Sequence, residues 1–108
     1  MEKLINMLQY FFTDHSKQDL IQIRRFTAKR WGYEQSTHYL CDLRKTLLLL
    51  SGMPSMGKDC FDDLGENIYR FPYGSHIIYY LTIPNEKIIV VAILHQSMVP
   101  AKHLGGRL

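Results

Sequence analysis

Residues 68–94 read IYRFPYGSHIIYYLTIPNEKIIVVAIL, and this stretch decides the fold class. Three runs rich in Ile, Val and Tyr, at 68–72, 76–83 and 87–94, have the composition of β-strands. Residues typical of turns separate them, Pro-Tyr-Gly-Ser and then Pro-Asn-Glu. The stretch therefore predicts a three-stranded antiparallel meander. Because its last strand is apolar in both alternations, both faces of that strand should be covered.

Upstream of the meander, a first helix is predicted over residues 17–30. Ser16, followed three residues later by Asp19, resembles a capping box, in which two side chains satisfy backbone N–H groups at a helix start. Gly32 ends the helix. The positions expected to be buried recur at helical spacing and are Leu20, Ile23 and Thr27, with Ile21 and Phe26 beside them.

A second helix is predicted over residues 33–51, since Gly52 and Pro54 prevent its continuation. An aromatic run at 7–13 predicts a first strand that pairs beside the meander, and 53–67 predicts a loop. Strand, helix pair and three strands make an α+β architecture in one small domain over 1–108. The expected buried stripe of the second helix is Ser36, Leu40, Leu43, Leu47 and Leu50, widened by Leu48 and Leu49.

Composition excludes several classes of protein. The 108 residues are 46% hydrophobic and 21% charged, which indicates a globular chain rather than a disordered one. The apolar runs at 47–50 and 88–94 are far shorter than the roughly 20 residues of a membrane span, and no signal peptide is predicted. Two cysteines are too few for a disulfide framework and favour a reducing cytoplasm. No motif predicts a metal or a cofactor.

Charge is distributed unevenly along the chain. The net charge is +3, and residues 1–45 hold eight Lys and Arg against five Asp and Glu. After Lys87 the only charged side chains, histidines aside, are Lys102 and Arg107, so residues 96–108 form a cationic C-terminal tail. A mildly basic chain is compatible with an acidic protein partner or with nucleic acid and requires neither.

A few polar and aromatic residues of the strands are candidates for chemistry or for structure. Arg70 lies inside a strand, where it can pair with phosphate or carboxylate or simply be solvated. His76 begins a strand and His95 ends one; each either orders a strand end or lies at the mouth of a cleft. Tyr79 and Tyr80 point to opposite faces of one strand, so at most one is expected in the core.

Short motifs in a fixed order resemble a known family. Trp31-Gly32-Tyr33 joins the helices, Pro54-Ser55-Met56-Gly57 forms a P-x-x-G loop, and Ile93-Leu94-His95 ends the last strand. Together with residues 70–80, they are similar to the RelE/ParE superfamily of bacterial toxins over roughly residues 8–104, and most similar to its ParE-like branch. Residues 1–6 precede the usual start of that family and are interpreted as an extension.

The resemblance implies the toxin of a type II toxin–antitoxin system. ParE-like toxins inhibit DNA gyrase and so block replication, and a cognate antitoxin neutralises them. Two alternatives are a RelE-like, ribosome-dependent mRNA endonuclease and a degenerate, non-toxic family member. A gyrase inhibitor needs no catalytic residue; for a nuclease the catalytic candidates are Arg70, His76 and His95. Direct contact with nucleic acid is expected only under the nuclease alternative.

The resemblance and the charge pattern together predict two sets of residues, one that binds the antitoxin and one that binds the target. An acidic antitoxin segment is expected to fold onto the toxin. The predicted antitoxin-binding residues are Leu40, Leu47, Arg70 and Tyr80. The predicted target-binding residues are Arg70, His95, Met98, Lys102, His103 and Arg107.

Overall fold

The computed structural model describes residues 10–65, 67–83 and 87–108. The extension at 1–6, the beginning of the first predicted strand and the turn at 84–86 lie outside these residues. The strands are β1 (Tyr10–Phe12), β2 (Lys58–Asp59), β3 (Ile68–Tyr73), β4 (His76–Ile83) and β5 (Lys87–His95). The helices are α1 (Asp14–Trp31), α2 (Tyr33–Gly52), α3 (Phe61–Leu64) and α4 (Pro100–Leu104), with a 3-10 turn at Pro54–Met56.

One five-stranded sheet, in the order β1-β5-β4-β3-β2, organises the molecule. Strands β3, β4 and β5 form the predicted antiparallel meander, and β1 lies beside it, parallel to β5. These observations confirm the α+β class. The prediction of a loop over 53–67 was wrong in part, because β2 pairs there with β3 and adds a fifth strand. A two-residue strand has no alternation that a sequence pattern can reveal.

The start of α1 differs from the capping-box prediction. Thr13 is the N-cap, and its side chain accepts a hydrogen bond from the backbone N–H of Ser16 at 3.2 Å. Ser16 is buried one turn inside the helix and donates to the carbonyl of Thr13 at 2.9 Å. The capping box was therefore wrong, because an equally good capping residue lies three positions earlier. Asp19 is left available for another contact.

Helices α1 and α2 pack together and cover one face of the sheet. The hydroxyls of Thr27 and Ser36 meet at 2.6 Å in the buried interface between the helices. The buried positions predicted for the two helices are confirmed for the most part. The residues predicted to widen the buried side of each helix are exposed instead, because each step of one residue turns the helix by 100° and points them away from the sheet. Buried on this face are Ile23, Leu43, Leu47 and Leu50. Exposed against expectation are Ile21, Phe26, Leu48 and Leu49.

The P-x-x-G loop packs directly over the side chain of a buried tyrosine, Tyr80. The hydroxyl of Tyr80 donates to the carbonyl of Pro54 at 2.6 Å, and Tyr80 is fully buried. A Cβ at Gly57 would collide with that hydroxyl. Burial raises the pKa of Tyr80 to about 12, so the donating proton stays in place at neutral pH. Glycine is therefore needed here for close approach.

The opposite face of the sheet is also covered, which overturns one expectation. Tyr79 and Tyr80 are both fully buried, on opposite sides of β4, although at most one was expected in the core. The register of β4 against β5 shifts at Tyr79/Tyr80, so that Val91 is an extra residue in β5. The second core consists of Tyr79, Val91, Ala92, Leu94 and Leu104. Leu104 belongs to α4, and the partly buried Leu64 of α3 packs against the same cluster, so α4 and α3 together provide this cover.

Candidate functional site: the cleft between α1 and the C-terminal segment

The C-terminal segment, residues 96–108, turns back onto the sheet directly after β5. The amide of Met98 donates to the carbonyl of His95 at 2.9 Å, and the amide of Ser97 donates to Nδ1 of His95 at 3.1 Å. Pro100 then begins α4, a position that suits a residue without an N–H. Leu104 is fully buried against the second face. The segment is therefore docked at both of its ends.

A bidentate ion pair anchors the segment to α1. Two nitrogens of the Arg107 guanidinium donate to the Asp19 carboxylate, at 2.7 and 3.1 Å, and both side chains are 14% exposed. The same pair covers the edge of β5 beyond the end of β1: the amide of Ile93 donates to Asp19, and Arg107 donates to the carbonyl of Val91, each at 3.0 Å. The guanidinium of Arg107 is thus committed to this contact.

Two histidines meet at the inner end of the cleft. The rings of His76 and His95 are 5.6 Å apart and nearly perpendicular. His76 is buried, and its Nδ1 lies 2.7 Å from the hydroxyl of Tyr39. Burial, and to a smaller degree the proximity of His95, lowers the pKa of His76 to about 4. His76 is therefore neutral near pH 7. His95 is half-buried, and its Nδ1 lies 2.7 Å from the hydroxyl of Ser97.

Tyr39 connects α2 to the turn between β3 and β4. Its hydroxyl accepts from the amide of Ser75 at 3.2 Å, and the hydroxyl of Tyr73 donates to the carbonyl of Tyr39 at 2.6 Å. Burial raises the pKa of Tyr73 to about 12. A side chain at Gly74 would crowd the Tyr39 hydroxyl, and Gly74 has a φ of +55°. These contacts hold His76 in one position.

A cleft of about 510 Å³ opens between α1 and the C-terminal segment. Four of the six predicted target-binding residues line it: His95, Met98, His103 and Arg107. Half of the remaining lining comes from α1, with Asp19, Gln22, Ile23 and Phe26, and the other half consists of His76, Ile93, Leu94 and Ser97. Lys102 is exposed on α4 outside the lining. The ring of Phe26 approaches that of His95 at 6.4 Å.

Arg70 lies away from this cleft. It is partly buried on β3, opposite Tyr79 of β4 and Lys58 of β2. Of the three nuclease candidates, the structure therefore brings together His76 and His95 but not Arg70. Arg107 is near the histidines, but Asp19 compensates its charge.

A second concavity of about 540 Å³ lies between β1, α1 and α2. Leu40 lines it, and Leu47 is at its floor without exposed surface. Tyr80, which is also fully buried, belongs to the core beneath, and Arg70 is elsewhere. In this conformation a partner could reach Leu40 but neither Leu47 nor Tyr80. The groove is lined chiefly by Tyr10, Phe12, Leu20, Leu40 and Leu43, with Arg24 and Arg44 at its rim.

Three residues of the cleft region, Asp19, Phe26 and Tyr39, were not predicted from the sequence as parts of a site. Asp19 was assigned to a helix cap and Phe26 to the core, while the hydrogen bonds of Tyr39 had no signal in the sequence. The available signal for Phe26 was its place in a run of basic residues, between Arg25 and Lys29 of a predicted helix. Across 10–65, 67–83 and 87–108, no three His, Cys, Asp or Glu side chains gather as metal ligands would. In the same ranges no helix has both the length and the apolar character to cross a membrane.

Comparison with known proteins places the chain in a family. The sequence model described as "ParE toxin of type II toxin-antitoxin system, parDE" matches residues 10–100. Toxin ParE1 of Caulobacter vibrioides is 31% identical over 99 residues, which are 92% of this chain and 100% of that protein. Toxin ParE of Escherichia coli is 30% identical over 105 residues, 94% of this chain and 98% of that protein.

A solved structure shares the fold. A chain of the chromosomal ParDE TA system from P. aeruginosa aligns with a TM-score of 0.66 at 13% identity, over 82% of this chain and 96% of that chain. The overall fold seen here is thus shared with a chain of a toxin–antitoxin system. The chain belongs to the ParE toxins of type II toxin–antitoxin systems.

Proposed function

We propose that this chain inhibits DNA gyrase through its C-terminal segment. The proposal rests on one observation: the inner side of the C-terminal segment is anchored to the rest of the chain, while its outer side is exposed. Met98 and Val99 are 44% and 50% exposed, and Lys102 adds a positive charge, while Leu104 and Arg107 hold the segment in place. A preorganised apolar surface with a cationic residue suits protein recognition and needs no catalytic group.

The mRNA endonuclease alternative has weaker support. Cutting RNA needs an acid, a base and cations that stabilise the developing phosphorane charge. His76 is buried with a pKa of about 4, Arg70 lies on another part of the sheet, and Asp19 already pairs with Arg107. Among the residues that the structure describes, the cleft therefore has no unpaired arginine beside the two histidines.

A cognate antitoxin is the second proposed partner, and we place it in the groove between α1 and α2. Apolar residues with two arginines at the rim suit an amphipathic, acidic segment that folds on binding. Of the predicted antitoxin-binding residues, Leu40 would contact it directly, and Leu47 and Tyr80 would support the groove from beneath. The cytoplasm is the proposed location, because gyrase acts there and reduced thiols persist there.

The first experiment compares DNA and protein synthesis after induced expression without antitoxin. If thymidine incorporation falls first and the cells form filaments, gyrase inhibition is supported. If amino-acid incorporation collapses within minutes while DNA synthesis continues, the proposal is overturned in favour of the ribosome.

A supercoiling assay with purified gyrase then tests the segment. We expect the double variant Met98→Ser/Lys102→Glu to lose inhibition without unfolding, because both side chains are exposed. The matched control is Met53→Ser/Lys45→Glu, which makes the same chemical changes at exposed positions of and just after α2. Equal inhibition by both double variants would exclude the segment as the gyrase-binding surface.

Antitoxin binding is tested separately. Leu40→Glu places a charge in the apolar groove and should abolish toxin–antitoxin complex formation, whereas Leu49→Glu, on an exposed position of α2, should not. Complex formation by Leu40→Glu at wild-type affinity would move the antitoxin to another surface.

A further inference from the structure

The outer side of α1 carries three cations without acidic partners. Arg25, Lys29 and Arg30 are exposed, and no acidic residue occurs between Leu20 and Tyr33. Within the described part of the chain the ion pairs are Lys45–Asp42 and Arg107–Asp19, so neither involves these three residues. Arg107 also neutralises Asp19, the acid of α1 that lies nearest to the three cations in sequence.

An exposed aromatic ring lies on the same side of the helix. Phe26 is 46% exposed, next in sequence to Arg25, and one turn before Lys29 and Arg30. Its ring borders the cleft, where Gln22, His95 and Ser97 provide hydrogen-bonding groups. A Phe ring left half in water at the mouth of a polar cleft gains by stacking on another flat ring. Neither the proposed gyrase surface nor the proposed antitoxin groove uses Arg25, Phe26, Lys29 or Arg30.

We infer that this surface, the α1 stripe of Arg25, Phe26, Lys29 and Arg30 together with the adjoining cleft, binds single-stranded nucleic acid. The three cations would contact successive phosphates, and one base would enter the cleft and stack on Phe26, within reach of His95. Aromatic stacking beside a positively charged track is the usual way in which proteins hold single strands. A duplex fits less well, because its bases are stacked on one another and cannot enter the cleft. The inference does not rest on gyrase being the target.

The charged groups around the cleft agree with this ligand. His76 is neutral near pH 7, and the carboxylate of Asp19 is paired. On α4, His103 lines the far side of the cleft, and Lys102 is an exposed cation outside the lining. No unpaired carboxylate of the described residues lines the cleft. An acidic polypeptide would be attracted by the same cations, but it would leave the Phe26 ring without a stacking partner.

The test is fluorescence anisotropy with labelled oligonucleotides of one mixed sequence. We expect the purified full chain to bind the single strand more tightly than its duplex or polyglutamate of equal charge. Three phosphate contacts to a single strand predict that log K falls with log salt with a slope of about −2. Measuring single strands of DNA and of RNA side by side shows which of the two nucleic acids the chain binds more tightly.

Variants on two sides of the molecule make the test specific. Arg25→Gln/Lys29→Gln/Arg30→Gln should weaken binding at least about tenfold, while Arg44→Gln/Lys45→Gln/Lys58→Gln removes the same charge elsewhere and should change it less than about twofold. Phe26→Ala should weaken binding at least about fivefold, and Ile21→Ala, an exposed apolar residue on another side of α1, should not. All four substituted sets are exposed, and circular dichroism checks their folding.

Three results would overturn the inference. The first is equal weakening by the two triple variants, which would mean that only net charge matters. The second is unchanged affinity in Phe26→Ala, which would exclude stacking. The third is duplex or polyglutamate binding as tight as that of the single strand, which would assign the stripe to a different class of ligand.

Discussion

The two faces of the sheet are covered by unlike means. On one face, α1 and α2 bury a continuous stripe of side chains and bond to the sheet through the Tyr39 and Tyr73 pair. On the other, α4 contributes one fully buried residue, Leu104, and the following turn contributes Arg107. The first cover is redundant, whereas the second is thin, because beside Leu104 and Arg107 only the partly buried Leu64 of α3 is added by the described helices. The helix-pair face should therefore set global stability, and the C-terminal face should be able to change without unfolding the chain.

The largest effect is expected on the helix-pair face. Leu47→Ala removes a fully buried side chain and should lower the free energy of unfolding by about 3 kcal/mol. Leu49→Ala, two residues later and 64% exposed, is the control and should change it by less than about 0.5 kcal/mol. Urea denaturation monitored by circular dichroism measures both. Equal losses would show that the burial described for α2 is wrong.

The next effect is a pH dependence of the free energy of unfolding, caused by His76 on the same face of the sheet. The pKa of His76 is about 4 in the folded chain and 6.5 in the unfolded chain, so the unfolded state binds the proton more tightly. The contribution of neutral His76 to the free energy of unfolding is therefore fully present above pH 6.5. It is lost as the pH falls toward 4, by up to about 3 kcal/mol. His76→Asn should show a flatter stability profile between pH 7 and pH 4.5. Parallel profiles would mean that His76 titrates normally.

A smaller effect is expected from the C-terminal cover. Leu104→Ala should cost about 2 kcal/mol, at the low end for a buried leucine, because the five-residue α4 can shift to fill the space. Hydrogen exchange of the amides in residues 96–108 should accelerate more than exchange in α2. A loss as large as that of Leu47→Ala would remove the difference between the two covers.

The smallest effect concerns the ion pair. Arg107→Lys keeps the charge but loses the two-pronged contact with Asp19, and should cost about 1 kcal/mol. The more sensitive measurement is gyrase inhibition, which should fall because the segment that presents Met98 is held less firmly. Antitoxin affinity should stay unchanged, since the groove is on the other side of α1. Unchanged exchange rates in residues 96–108 would contradict an anchoring role for Arg107.

How much could be predicted from sequence differs between these faces. The stripe of α2 was predictable because burial against a sheet repeats at helical spacing, and it failed only for Leu48 and Leu49, which lie off that line. The cleft was predicted in part. Of the six predicted target-binding residues, four do line it, and Arg70 and Lys102 do not. Arg107 was expected to face a target, yet it contacts a residue 88 positions earlier.

By itself, the sequence determined the α+β class, the helix pair and the meander, because local composition and periodicity carry these features. The resemblance to the RelE/ParE toxins came separately, from short motifs in a fixed order. Tertiary structure alone decided that Tyr79 is buried, that Asp19 pairs with Arg107, and that burial lowers the pKa of His76. The physical reason is that each of these depends on which distant residue excludes water or supplies the opposite charge. No spacing within one segment encodes that partner.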